Sequence, residues 1–301
     1  MSHNLKIILG YITICILWGS TWIAIRIGLD TVTPLLSAGI RFLIASGLFY
    51  GLIKARGLKI QTDPVAIKLY IILGLFSFVI PFGLVYWAEQ FIESALASLI
   101  FGIFPFSTIL FSRFMLKDYK IGPYKAVAVI VGFAGVFLIF SENLSFDFSN
   151  DLMGSAAVVI SAIMQGWIAV TMKKEGGHLN PVSLNLVPLL IAGVLMTAYG
   201  VLFEDMSKVS FSVSSASAIV YLAIFGTVFT FSIYYWLMKQ IDVVLLSLST
   251  FITPIVSVIL GFLILNERLS AQALLGGGLV LSGILISNFK GLKKYILKED
   301  K

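Results

Sequence analysis

Apolar residues run along this chain in ten long blocks, with polar residues gathered in the short gaps between them. The blocks are 7–25, 35–53, 69–88, 94–112 and 126–141 in the first half and 152–172, 181–203, 216–238, 243–265 and 271–289 in the second. Each is close to the ~20 residues that a helix rising 1.5 Å per residue needs to cross ~30 Å of hydrocarbon. They are too long and too unalternating for barrel strands, and lipid admits only helices or closed barrels. The pattern predicts an all-α integral membrane protein of ten transmembrane helices. The remaining loops are too small to fold into a catalytic domain.

Composition fits a protein dissolved in lipid. The chain is 59% hydrophobic and 12% charged, with a mean hydropathy of +1.01, against roughly 25% charged residues in soluble domains. The first block is long for a signal-peptide core and lacks a small-residue cleavage site, so it reads as a retained span. The single cysteine, Cys15, lies inside it, which leaves no intrachain disulfide. His3 and His178 are far apart, and no metal site or cofactor is expected. The net charge of +6 does not indicate nucleic acid, because the positive side chains flank apolar blocks without interleaved aromatics. With the amino end in the cytoplasm, 17 of the 21 Lys and Arg fall on the cytoplasmic side, the other four being Arg26, Lys208, Arg268 and Arg41. That bias predicts a multi-pass protein of the plasma or inner membrane with both termini cytoplasmic.

The chain also matches itself. Tyr86-Trp87 pairs with Tyr235-Trp236, Glu93 with Asp242, Pro105 with Pro254, Leu116 with Leu265 and Asp118 with Glu267, all at an offset of 149. Gly19 and Pro34 pair with Gly166 and Pro181 at 147. This predicts two five-helix repeats, residues 1–147 and 148–301, the second ending in a short basic cytoplasmic tail. Because five is odd, the second copy enters the membrane from the opposite side, the architecture of alternating-access carriers. Pro105 and Pro254 fall near the centres of spans four and nine, where each removes a backbone hydrogen bond. Two readings stay open: bent helices lining a midplane site, or kinks satisfied by neighbouring hydroxyls such as Thr108 and Thr253.

The run Leu17-Trp18-Gly19-Ser20-Thr21-Trp22, Pro34 and Arg41-Phe42 in span two, and Leu265-Asn266-Glu267-Arg268-Leu269-Ser270 before the Gly-rich last span resemble the EamA-type branch of the drug/metabolite transporter superfamily. The resemblance covers residues 7–140 and 153–288. One departure is the first-half counterpart of the Glu-Arg-Leu-Ser run, which reads Asp118-Tyr119-Lys120-Ile121. The resemblance implies a basket-shaped inner-membrane carrier for small metabolites, amino acids or toxic compounds, commonly exported.

Candidate substrate contacts follow from polar and aromatic residues within spans. Arg41 lies about six residues from the outer end of span two, or ~9 Å deep, as a countercharge for a substrate carboxylate or as a cation snorkelling to the outer surface or tied to a neighbouring helix. Trp18, near the middle of span one beside Ser20 and Thr21, is expected to face a cavity, whereas Trp22, Trp87 and Trp236 lie near span ends as interfacial belt residues. Gln165 and Trp167 bracket Gly166 at the matching region of span six. Tyr86 and Tyr235 are matched between the repeats. Of the hydroxyls around the two prolines, including Ser107, Thr108, Ser247 and Ser249, Thr250 and Thr253 are the best lining candidates and the rest read as packing. Gly132, Gly135, Gly276, Gly277, Gly278 and Gly283 read as helix-contact surfaces, making spans five and ten peripheral packing or dimerisation elements in a monomer or homodimer.

No Asp or Glu lies within a span as drawn, and Glu89, Glu93 and Asp242 stand at the borders, so the expected carrier runs on the substrate gradient or by exchange. ATP is excluded by the lack of a Gly-x-x-x-x-Gly-Lys-Ser/Thr run. The expected partners are a small-molecule substrate and the bilayer. A flippase for lipids or lipid-linked sugars on the same fold is the alternative. An intramembrane lipid-modifying enzyme is a weaker one, since it requires clustered acids or histidines at a membrane border, and no such cluster appears.

Overall fold

The computed structural model describes residues 3–141, 150–177, 179–180, 182–237, 240–241, 246 and 249–296, without the side chains of 183, 235 and 290–296. Its helices are α1 (His3–Gly28), α2 (Pro34–Ala55), α3 (Pro64–Ala88), α4 (Ser94–Met115), α5 (Pro123–Ser141), α6 (Asn150–Glu175), α7 (Ser183–Phe203), α8 (Val213–Ala223 continuing through Ile224–Phe229 and Thr230–Leu237), α9 (Ser249–Leu265) and α10 (Ala271–Ile296). Among the described residues, nine of these are long and apolar enough to span a bilayer, and α9 is a shorter apolar helix. Pro181, Asp242 and Ser247 lie outside the described residues. The protein is an all-α, multi-pass membrane protein, and large apolar side chains such as Ile130, Phe137, Leu202 and Leu275 point outward as a hydrocarbon solvent demands.

Several helices run past the apolar blocks: α1 begins at His3, and α6 continues through Lys173 and Lys174 to Glu175. A charge marks where hydrocarbon ends, but water satisfies the backbone just beyond, so the helix need not stop there. Starts are set by local chemistry. Asp63 accepts from Ala66 N at 3.0 Å ahead of Pro64, and Ser212 accepts from Ser215 N at 3.1 Å. Two other starts are capped from a distance. Glu204, just past α7, accepts from Leu35 N and Leu36 N of α2 at 2.9 and 3.1 Å. Glu267 accepts from Ser94 N and Ala95 N of α4, both at 2.9 Å, and from the Ser94 hydroxyl at 2.8 Å. The Asn-Glu-Arg-Leu-Ser turn of the second repeat thus closes a helix of the first.

The principal contacts between the halves are α1 with α9, α6 with α4, α1 with α8, α6 with α3, α2 with α7, α3 with α7, α2 with α8, α4 with α9 and α5 with α10. Exchanging each helix for its counterpart five places along returns the same set. The two repeats are therefore related by a pseudo-twofold axis. Glycines set the closest crossings. A Cβ on Gly19 would stand 2.5 Å from Val256 Cβ, and one on Gly166 would stand 2.6 Å from Ser107 Cβ, so α1 lies against α9 as α6 lies against α4. Gly135 and Gly276 meet backbone to backbone where α5 crosses α10, while Gly278 faces open space.

Helices α3 and α8 each loosen into a π-helical turn at matched positions, Gly74–Val79 and Ile224–Phe229. A π turn lengthens the backbone ladder and leaves bonding capacity for side chains. Gln165 on α6 takes up the first, donating to Ser77 O at 2.8 Å and accepting from Ser77 Oγ at 3.0 Å. In the second, the Thr227 hydroxyl donates to Leu222 O at 2.9 Å and accepts from Arg41 Nε at 3.2 Å.

Candidate functional site

A cavity of about 440 Å³ lies between α1, α2, α3, α4, α6, α8 and α9. That is within the range of small-molecule sites. Its wall is mostly aromatic and aliphatic: Trp18, Trp22, Ile25, Phe82, Val85, Phe101, Phe104, Phe231 and Tyr234. Polar groups enter from Thr21, Ser98, Ser161, Gln165, Ser249, Thr250 and Thr253, and Pro105 and Pro254 face it from opposite halves. Among the described residues, helices α5, α7 and α10 contribute nothing to the lining.

Arg41 is the one charged residue among the described lining residues. It is only 4% exposed, which rules out snorkelling to the surface. Besides the bond to Thr227, its Nη1 donates to Tyr86 Oη at 3.2 Å, and its guanidinium carbon stands 5.3 Å from the ring centres of Phe42 and Phe82. A guanidinium carries five N–H donors. Among the described residues two are engaged, and no carboxylate pairs with it. What remains is a fork of positive charge at the wall of an apolar chamber, suited to a carboxylate or phosphate.

Of the residues singled out in the sequence, Trp18, Thr21, Arg41, Gln165, Thr250, Thr253, Pro105 and Pro254 are on the cavity wall. Tyr86 is fully buried behind the wall and reaches it only through Arg41. Two candidates lie elsewhere. Ser20 faces away, its hydroxyl donating to Leu17 O at 2.8 Å and sharing a 2.6 Å bond with Tyr221 Oη. Trp167 packs edge-on against Phe76, a partly exposed residue on the outside of α3, because it sits two residues and so about 200° round α6 from Gln165. The side chain of Tyr235 lies outside the described residues. Trp22, assigned from its position to an interfacial belt, is instead 8% exposed and meets Phe101 edge-on at 5.4 Å inside the bundle.

The prolines behave differently. Helix α4 breaks at Gly102-Ile103 and restarts at Phe104 with Pro105 in its first turn, while α9 passes Pro254 unbroken. Thr253 donates to Ser249 O at 2.8 Å and Thr108 to Phe104 O at 3.0 Å, so these hydroxyls also serve their own helices.

Several wall residues missed in the sequence were signalled there by the repeat itself. Phe82 pairs with Phe231 at the offset of 149, Val85 with Tyr234, Phe101 with Thr250 and Phe104 with Thr253. The wall inherits the pseudo-twofold axis in position but not in chemistry. The α4 side is aromatic where the α9 side carries hydroxyls, and at the offset of 147 Arg41 faces Pro188.

A model of the EamA-like transporter family matches the chain twice, over residues 5–141 and 152–289. Relatives include the uncharacterized transporter YoaV of Bacillus subtilis, 25% identical over 94% of this chain and 97% of its own length. Others are the uncharacterized inner membrane transporter YedA of Escherichia coli, 28% identical over 90% and 87%, and protein PagO of Salmonella typhimurium, 26% identical over 91% and 90%. A solved crystal structure has the same fold, with a TM-score of 0.69 at 22% identity over 97% of this chain and 99% of that one. With both repeats matched, and helices of both lining a shared chamber, the chain belongs to the EamA-like transporter family.

Proposed function

We propose that this transporter exports small amphipathic acids, amino acids or related compounds, from the cytoplasm by alternating access through the central cavity. The observation that carries the reading is Arg41, a buried guanidinium with unspent donors on a wall that carries no other charge among the described residues. A substrate carboxylate pairs with Arg41, its apolar part lies among Trp18, Phe82, Phe101 and Phe231, and its remaining polar groups meet Gln165, Thr250 and Thr253. Pseudo-symmetric halves support exchange of access between the two faces, since each crossing of one half has an equivalent in the other. Both termini lie in the cytoplasm, following the placement of 17 of the 21 Lys and Arg on that side.

Counterflow in proteoliposomes with a labelled mixture of amino acids tests the reading. Phenylalanine should compete with the label, and phenethylamine, which lacks the carboxylate, should not. Equal competition by the amine, or counterflow unchanged by Arg41→Gln in folded protein, overturns the role of Arg41. Transport of a lipid in place of the amino acids overturns the substrate class.

A further inference from the structure

Glu89 stood at a border in the sequence, and the structure buries it completely. It ends α3 on the face of the bundle opposite the amino terminus, its N–H still bonding Val85 O at 3.0 Å. Neither carboxylate oxygen has a hydrogen-bond partner among the described residues. Val85 on the cavity wall is one helical turn away, and Tyr86, which holds Arg41, is three residues back. The carboxyl therefore sits about one turn, ~5 Å, beyond the chamber, in the layer that closes this end.

Charged groups surround it at one remove. From α1, Arg26 donates to the backbone carbonyl of Glu89 and makes no hydrogen bond to its carboxyl. From the turn between α9 and α10, Glu267 is committed to the start of α4, and Arg268 N reaches Glu93 Oε1 at 3.4 Å. Arg41 approaches from α2, and Asp151 at the start of α6 is exposed. Burial is the largest influence on Glu89 and pushes its carboxyl well above the usual carboxylate range; Glu267 adds to this, and Arg26 and Arg41 oppose it. An ionised carboxylate without bonds is disfavoured in such a place, which favours the protonated form.

We infer that Glu89 is a proton-binding site that links opening of this end of the cavity to proton release. While the end is shut, the neutral carboxyl packs in the closing layer. When α3 and α4 part and water enters, the O–H bond ionises, the proton passes to water on that face, and the carboxylate pairs with Arg26 close by. Linkage gives the sign: the closed form binds one more proton than the open form, so rising pH favours opening at this face. The inference rests on the alternating-access reading of the cavity, and it differs from the expectation of a carrier running on the substrate gradient or by exchange alone.

The test uses full-length protein in lipid nanodiscs on a Cys15→Ser background. Infrared difference spectra across a pH titration should contain a protonated-carboxyl band at neutral pH that Glu89→Gln removes and Glu89→Asp shifts. A cysteine at Ile92, buried in the same layer, should react with an impermeant maleimide several-fold faster at alkaline than at neutral pH, beyond the increase in the Glu89→Gln protein at the same pH values. If the band survives Glu89→Gln, or labelling has the same pH dependence with and without the carboxyl, the inference is wrong. Should the glutamine protein not fold, Glu89→Asp, which keeps a carboxyl on a shorter stem, should shift both the band and the pH midpoint of labelling, and a shift in neither overturns the inference. Neither readout uses a substrate, so absence of amino acid counterflow defeats the proposed function and leaves this result standing.

Discussion

A guanidinium inside a helical bundle is satisfied by neighbouring helices or by whatever enters the chamber beside it; Arg41 donates to Thr227 and Tyr86, and in the proposed function its other donors meet the substrate. Lysine in its place keeps the charge but loses the planar fork that reaches Thr227 and Tyr86 together. Arg41→Lys should weaken binding of a carboxylate substrate by roughly tenfold and Arg41→Gln by more, as loss of a charge-assisted bond worth ~1.5–3 kcal/mol implies. Competition in counterflow measures both. Glu267 makes a separate, structural prediction. Glu267→Ala strips Ser94 N and Ala95 N of their acceptor and should lower stability by about 1–2 kcal/mol, read as a lower unfolding temperature in detergent. Residue identity was legible in the sequence where a polar group interrupts an apolar run, as at Arg41, Gln165 and Thr250. It was not legible for Trp22 or Glu89, because depth along one helix says nothing of what a neighbouring helix covers.

At the scale of helices, the repeat offset carried more information than hydropathy did. The pairing of Gly19 with Gly166 at 147 marks two equivalent crossings, each too close for a side chain. Gly19→Ala and Gly166→Ala should each destabilise the protein by about 1–3 kcal/mol, since Val256 in one case and Ser107 with the Thr108 backbone in the other must move. Gly47→Ala is the control: nothing stands within 4 Å of its Cβ position, and the substitution should be neutral or stabilising in the same melting experiment. The matched π turns of α3 and α8 could not be read from hydropathy, because the groups that bond to them, Gln165 on Ser77 and Arg41 on Thr227, come from other helices. The same limit applies to α4, where Pro105 announces a break but the restart at Phe104 depends on how α6 packs against it.

For the whole molecule, the helix count and the duplication were legible from the sequence because lipid forces apolar residues into long runs and an odd-numbered repeat into inversion. The chamber was not, since it arises only when α1, α2, α3 and α4 of the first half and α6, α8 and α9 of the second enclose a common space. Orientation is the remaining global property, and it decides which compartment meets Glu89. In the proposed orientation, argued from the bias of positive residues, the amino end and the α2–α3, α4–α5, α6–α7 and α8–α9 connections are cytoplasmic, and Met206 beyond α7 is on the other side. Because Cys15 is the single cysteine, Cys15→Ser yields a background for single reporters. In intact cells an impermeant maleimide should label Met206→Cys, which is exposed, and should reach Asn4→Cys only after permeabilisation. Labelling of Asn4→Cys from outside, with Met206→Cys protected, would invert the whole assignment. Glu89 would then release its proton into the cytoplasm, and opening at its end would respond to cytoplasmic pH instead.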